Sequence, residues 1–182
     1  MAQLTYEQAL SKAAHLCSTA EKAPQEIFDK LITWGISSDA AEEIVCKLKE
    51  EKYLDEARYA HAFVHDKFNY EHWGKMKIAY NLRNKGISDS LISNTIDYVI
   101  PDDEYVSVLA DLLKSKMRGM SIPLNQNDKA KLYRFAAQRG FESRYISIAL
   151  NTLYNSLYRD AFMVDDSNYW NGDYKETLHT TD

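Results

Sequence analysis

Three glycines, at positions 35, 86 and 140, stand in matching surroundings, and this recurrence constrains the fold more than any other feature. The segments are LITWGISSDAAEEIVCKL, LRNKGISDSLISNTIDYV and AAQRGFESRYISIALNTL, with the glycines 51 and 54 residues apart. The residue after each glycine is Ile36, Ile87 or Phe141, and the tenth after it is Val45, Ile96 or Leu150. The thirteenth after it is Leu48, Val99 or Leu153, and the eighth before it is Ile27, Ile78 or Leu132. Apolar residues at helical spacing on both sides of a glycine predict two helices joined by a turn, because glycine enters the left-handed conformation at little cost. The residue after the glycine is then a hydrophobic plug between the two helices.

A longer helix precedes each pair. Thr5-Tyr-Glu-Gln8 has the form of a capping box for the first, and Pro24 suits the first turn of the second. Asp39-Ala-Ala-Glu42 predicts the start of the third, and Asp55 the cap of the fourth. Pro101 with Asp102 and Asp103 opens the seventh, and Asp128 is the expected cap after the Ser121–Asn127 loop. The chain therefore divides into 1–54, 55–100 and 101–158, each a three-helix repeat. A unit of this size has a thin core, so neighbouring repeats must complete it by stacking. The expected fold is all-α: three tandem three-helix repeats in an elongated, curved array. Residues 159–182 are polar and acidic and read as a flexible tail, whose Tyr169, Trp170 and Tyr174 could dock on the body or on a partner.

Composition narrows the class. Few glycines and prolines (6 and 3) argue against an all-β protein. Cys17 and Cys46 are far apart and form no CxxC pair, which fits a reducing cytoplasm and not a disulfide framework. No apolar run approaches a membrane span, and the first residues lack a signal-peptide core. The expectation is a soluble cytoplasmic monomer.

The net charge is −5, unevenly spread. Residues 1–51 carry 5 basic and 9 acidic side chains, 111–144 carry 8 and 3, and 145–182 carry 2 and 6. A cationic surface between acidic ends follows. The basic residues also keep repeat register: Lys75 with Lys129, Lys77 with Lys131, Lys85 with Arg139. Repeat one has Pro24, Glu26 and Trp34 in those places. Together with Arg58, Lys67, Arg83 and Arg134, these residues form the candidate surface for an anionic partner. A solubilising helix face is the plainer alternative.

No catalytic constellation is present: Walker A, GxSxG and GxGxxG motifs are all missing. His61 and His65 have metal-ligand spacing, but HAFVH lacks the intervening glutamate of HExxH. The paired carboxylates at helix starts are explained by capping. No cofactor, metal or enzymatic activity is expected.

The string YLDEARYAHAFV followed by WGKMKIAYNLRNKGI resembles the second repeat of the RecX family of recombination regulators, and LITWGISSDAAEEIVCKLKEEKYL resembles its first. The likeness covers about residues 5–158 and weakens in the third repeat. It implies a non-enzymatic modulator that lodges in the groove of the RecA–DNA filament and hinders filament growth, ATP turnover and strand exchange. Asp55, Arg58 and Tyr59 match the family's junction motif; Gly74, Lys77, Ile78, Leu82, Lys85 and Gly86 match its second-repeat signature. Many members are strongly basic, whereas this chain is acidic, so only weak binding to single- or double-stranded DNA is expected. Two readings without a RecA partner stay open: a helical nucleic-acid-binding module and a helical-repeat interaction scaffold.

Overall fold

The computed structural model describes residues 4–162, and side chains as far as residue 156. Among the described residues there are nine α-helices and no strand. Repeat one contains α1 (Tyr6–Thr19), α2 (Pro24–Thr33) and α3 (Ser38–Glu50). Repeat two contains α4 (Glu56–Asn69), α5 (Lys75–Arg83) and α6 (Asp89–Val99), and repeat three α7 (Asp102–Lys116), α8 (Gln126–Gln138) and α9 (Ser143–Phe162). The closely packed helix pairs all lie within single repeats. Repeats meet through helix ends and loops, which makes the array elongated.

The glycine turns form as their spacing predicts. Gly35, Gly86 and Gly140 have φ of 86°, 79° and 87°. Each turn closes with the same pair of main-chain bonds. Gly86 N–H donates to the Arg83 carbonyl at 2.9 Å, and Ile87 N–H reaches back to the Leu82 carbonyl at 3.1 Å. Gly35 with Ile36, and Gly140 with Phe141, repeat this arrangement. It is the Schellman closure, which satisfies helix-end carbonyls and turns the following residue inward. Ile36, Ile87 and Phe141 are accordingly buried.

The capping box at Thr5 and Gln8, the Pro24 first turn and the Asp55 cap are all present. Two starts differ from expectation. α3 begins at Ser38 with Ser37 in the cap position, ahead of Asp39. α8 begins at Gln126, capped by Asn125, whose side chain accepts from Asp128 N–H at 2.9 Å. Asp128 answers by accepting from the Asn125 side-chain amide, Nδ2, at 2.8 Å, so this buried carboxylate fixes the capping side chain in place. The helix of the third glycine turn's far side, α9, extends to Phe162; residues 163–182, and with them Tyr169, Trp170 and Tyr174, lie outside the described residues.

The core is in two parts. One cluster, with Ile27, Leu31, Ile44 and Leu48 at its centre, belongs to repeat one. The other runs without a break through repeats two and three, from Phe68 and Ile78 to Leu109, Leu132 and Ile146. Tyr105 of α7 bridges its halves, with its ring against Phe68, Phe141 and Tyr145. Its hydroxyl accepts from Lys75 N–H at 3.0 Å and donates to Glu142 at 2.5 Å. Burial, reinforced by that bond to Glu142, pushes the phenol well above its usual range.

Replacing Ile87 with Asp puts an unpaired carboxylate into a site only 4% exposed. We expect a loss of about 3–5 kcal/mol in denaturant unfolding; an unchanged midpoint would show that the plug contributes nothing. Asp55 gives a second test. Hydrogen bonds from Arg58 N–H and Ala57 N–H hold its carboxyl below the usual range. A depressed folded value means stability that is present above the unfolded carboxylate range and is lost as pH falls through the folded one. Asp55→Ala should therefore cost about 0.5–2 kcal/mol near neutral pH, and its deficit against wild type should shrink on acidification.

Candidate partner-binding surface

The cations that share repeat register do not share surroundings. The ten side chains fall into four sets by their partners.

Four couple the repeats. Arg58 grips Glu21 of repeat one, with Nε at 2.8 Å from Oε1, and also donates to the Lys52 carbonyl. Lys85 forms an ion pair with Glu26 of repeat one. Burial is the largest single influence and lowers the ammonium's proton affinity, but the hydrogen bonds and charges of Glu26 and Tyr59 together outweigh it, and the net shift is upward. Lys75, with only 14% of its side chain exposed, reaches Asp102 of repeat three at 2.7 Å and lies over the Tyr105 ring. Arg139 of repeat three donates to the Glu71 carbonyl of repeat two at 2.9 Å and stacks on Phe135. Two others are neutralised close by: Arg83 by Asp89 at 2.5 Å and Lys131 by Asp128 at 3.0 Å. Lys129 lies over Tyr154, and Arg134 is exposed on α8.

The remaining charge gathers where repeat three meets repeat two. Lys77 Nζ sits 3.9 Å from the centre of the Trp73 ring, and Lys67 Nζ sits 4.9 Å from it. Phe63 meets Trp73 edge-on and also faces Lys67. Arg139 continues this belt, because its guanidinium is fixed to the 71–73 loop, and Lys116 lies 5.1 Å from the Phe135 ring that Arg139 covers. Lys67 is paired with Glu71, but Lys77, Arg139 and Lys116 have no carboxylate partner among the described residues. The backbone explains why they crowd together. A Cβ added to Gly140 would lie 2.3 Å from Lys77 Cβ, so the residue after Arg139 is pressed against Lys77.

One change between repeats produces this concentration. Lys85 and Arg139 are equivalent, and so are Glu26 and Lys77. At the first junction the cation therefore meets a glutamate; at the second it meets another cation. Arg139 turns to a carbonyl and a ring instead, and Lys77 turns to Trp73. Cation–π contacts of this kind are worth about 0.5–1 kcal/mol at exposed sites, enough to position an ammonium but not to cancel its field. The arrangement suits an anionic partner with several charges along its length, such as a phosphate backbone or an acidic groove.

Trp73, Phe63, Phe135 and Lys116 were not among the site residues expected from register. The available signal was local: Trp73 directly precedes Gly74, and lysines flank it on both sides. His61 and His65 face Tyr98 and Asp66, and no three His, Cys, Asp or Glu side chains are grouped for a metal among the described residues. No described helix is long and apolar enough to cross a membrane.

Residues 55–96, the α4–α6 unit that supplies Trp73 and Lys77, match the family profile of the RecX second three-helix domain. The regulatory protein RecX of Clostridium tetani is 31% identical over 143 residues, spanning 76% of this chain and 62% of that relative's length. The regulatory protein RecX of Caldanaerobacter subterraneus is 27% identical over 145 residues, 80% of this chain and 70% of its own. In fold, the crystal structure of RecX from Lactobacillus salivarius superposes with a TM-score of 0.73 over 81% of this chain and 96% of that one, at 23% identity. The second repeat thus matches the RecX profile as a unit, the chain spans 62–70% of the length of these two relatives, and its all-helical fold is similar to that of the RecX crystal structure.

Proposed function

We propose that the protein regulates the RecA recombinase by binding the RecA–DNA filament, and that it lowers filament growth, ATP hydrolysis and strand exchange without catalysing a reaction. A cytoplasmic site of action, where filament and DNA are found, goes with this reading. The observation that carries it is the belt of Lys77, Arg139 and Lys116 at the junction of repeats two and three, where cations lacking a carboxylate are held against Trp73 and Phe135. Packing does not require like charges to be pressed together, so their juxtaposition suggests a second constraint. A filament offers a long anionic track to which an elongated array can align. The net charge of −5 disfavours free DNA as the main target, since binding to a bare duplex depends on counterion release by a cationic surface.

The test is RecA ATP hydrolysis on single-stranded DNA, titrated with the protein. Each exposed charge contributes about 1 kcal/mol or less, so single substitutions should be mild. Lys77→Glu combined with Lys116→Glu should keep normal helicity and melting and lose most of the inhibition. Lys131→Gln, at a cation already neutralised by Asp128, should inhibit like wild type. Salt should weaken inhibition by the wild type in the same direction as the double substitution. A folded double variant with full inhibitory strength would place the partner on another surface. Tight, salt-sensitive binding to DNA alone, with no effect on RecA, would favour the nucleic-acid-binding module.

A further inference from the structure

The two junctions between repeats are built differently. At the second, main chain meets main chain. Gly74 N–H donates to the Arg139 carbonyl at 2.7 Å and Met76 N–H to the Gly140 carbonyl at 3.1 Å. The free N–H groups that begin α5 are thus capped by the carbonyls that end α8. Gly74 makes this approach possible: a Cβ there would lie 2.2 Å from Gly140 C and O. Lys75 N–H bonds the buried Tyr105 hydroxyl, and a single apolar core runs through both repeats.

At the first junction the residue equivalent to Gly74 is Ala23, which caps α2 as Gly74 caps α5. Its methyl is fully buried against the core of repeats two and three. The turn of repeat two stands farther off. A Cβ on Gly86 would find nothing nearer than Gln25 at 3.8 Å. Among the described residues no main-chain hydrogen bond crosses this junction, and apart from Ala23 the buried cores of the two sides are separate. Ion pairs span the gap instead: Glu21–Arg58, Glu26–Lys85 and Lys49–Glu56. Their side chains are about 27–48% exposed, within reach of salt screening.

We infer that residues 55–156 form one rigid body and that repeat one swings against it about the small apolar contact of Ala23, on a joint held in place by these ion pairs, so that ionic strength sets the curvature of the array. Ala23 keeps the joint loose by blocking the backbone approach that Gly74 allows. The inference rests on contacts between repeats and does not depend on which partner the protein binds.

The experiment measures distance distributions between spin labels on the free, full-length protein, with Cys17→Ala throughout. Native Cys46 with Tyr133→Cys spans the proposed joint. Tyr80→Cys with Tyr133→Cys, in a Cys46→Ser background, spans the rigid body. Raising salt from about 0.1 M to about 1 M shortens the screening length from about 10 Å to about 3 Å. We expect the first distribution to broaden and shift, and the second to stay narrow and fixed. Lys85→Glu should reproduce the broadening at low salt, and adding Glu26→Lys should reverse it. A Cys46–Tyr133→Cys distribution as narrow and salt-independent as the internal one would overturn the joint, and so would an equal response in both pairs. If Lys85→Glu fails to fold, the salt series on the parent pairs decides alone.

Discussion

Each repeat depends on a residue that leaves its helix with positive φ. Without that turn, Ile36, Ile87 and Phe141 could not point between the helices, and the second and third helices of a repeat would have no plug. The hydrogen bonds that close the turn use carbonyls the helix cannot satisfy itself, so turn geometry and plug burial reinforce one another. At Gly140 the same turn takes on a further task, presenting its own and the preceding carbonyl to the start of α5. The motif that closes one repeat thereby caps a helix of another. This is why the second junction needs glycine on both sides: Gly140 for its conformation, Gly74 for space.

Much of this was legible in the sequence. The spacing of Gly35, Gly86 and Gly140 gave the helix pairs, and Thr5, Pro24 and Asp55 marked starts that the structure keeps. Two starts were misplaced from sequence, at α3 and α8. At α8 Asn125 takes the cap and Asp128, three residues on, bonds back to its side chain; at α3 Ser37 holds the cap position without a side-chain hydrogen bond. Residue type alone does not distinguish those roles.

The binding surface was less legible, because register describes a residue's place in its own repeat and not what the neighbouring repeat puts opposite it. Lys85 and Arg139 look alike in the sequence. One is neutralised by Glu26, and the other stands beside Lys77. Lys75 reads as a surface cation on α5, yet Asp102 and Tyr105 of repeat three enclose it. The aromatic half of the belt was missed for a related reason. Trp73 and Phe135 lie in different repeats, and the contacts of Arg139 and Gly140 with the 71–76 segment bring them into one surface.

Two pairs of equivalent positions then account for most of the difference between the junctions. Ala23 against Gly74 decides whether backbones touch, and Glu26 against Lys77 decides whether the facing cation is neutralised. The two choices are coupled. A junction without main-chain hydrogen bonds has fewer other contacts to hold it, and opposite charges supply attraction there. Where Gly74 and Gly140 lock backbone to backbone, above a continuous core, the junction tolerates like charges at its surface. Lys77 and Arg139 can then remain available to a partner because stability at that point comes from the main chain and from Tyr105. The stiffer junction is thus the one able to carry unneutralised charge, which places the candidate binding belt on the rigid body and leaves repeat one as the element free to adjust around it.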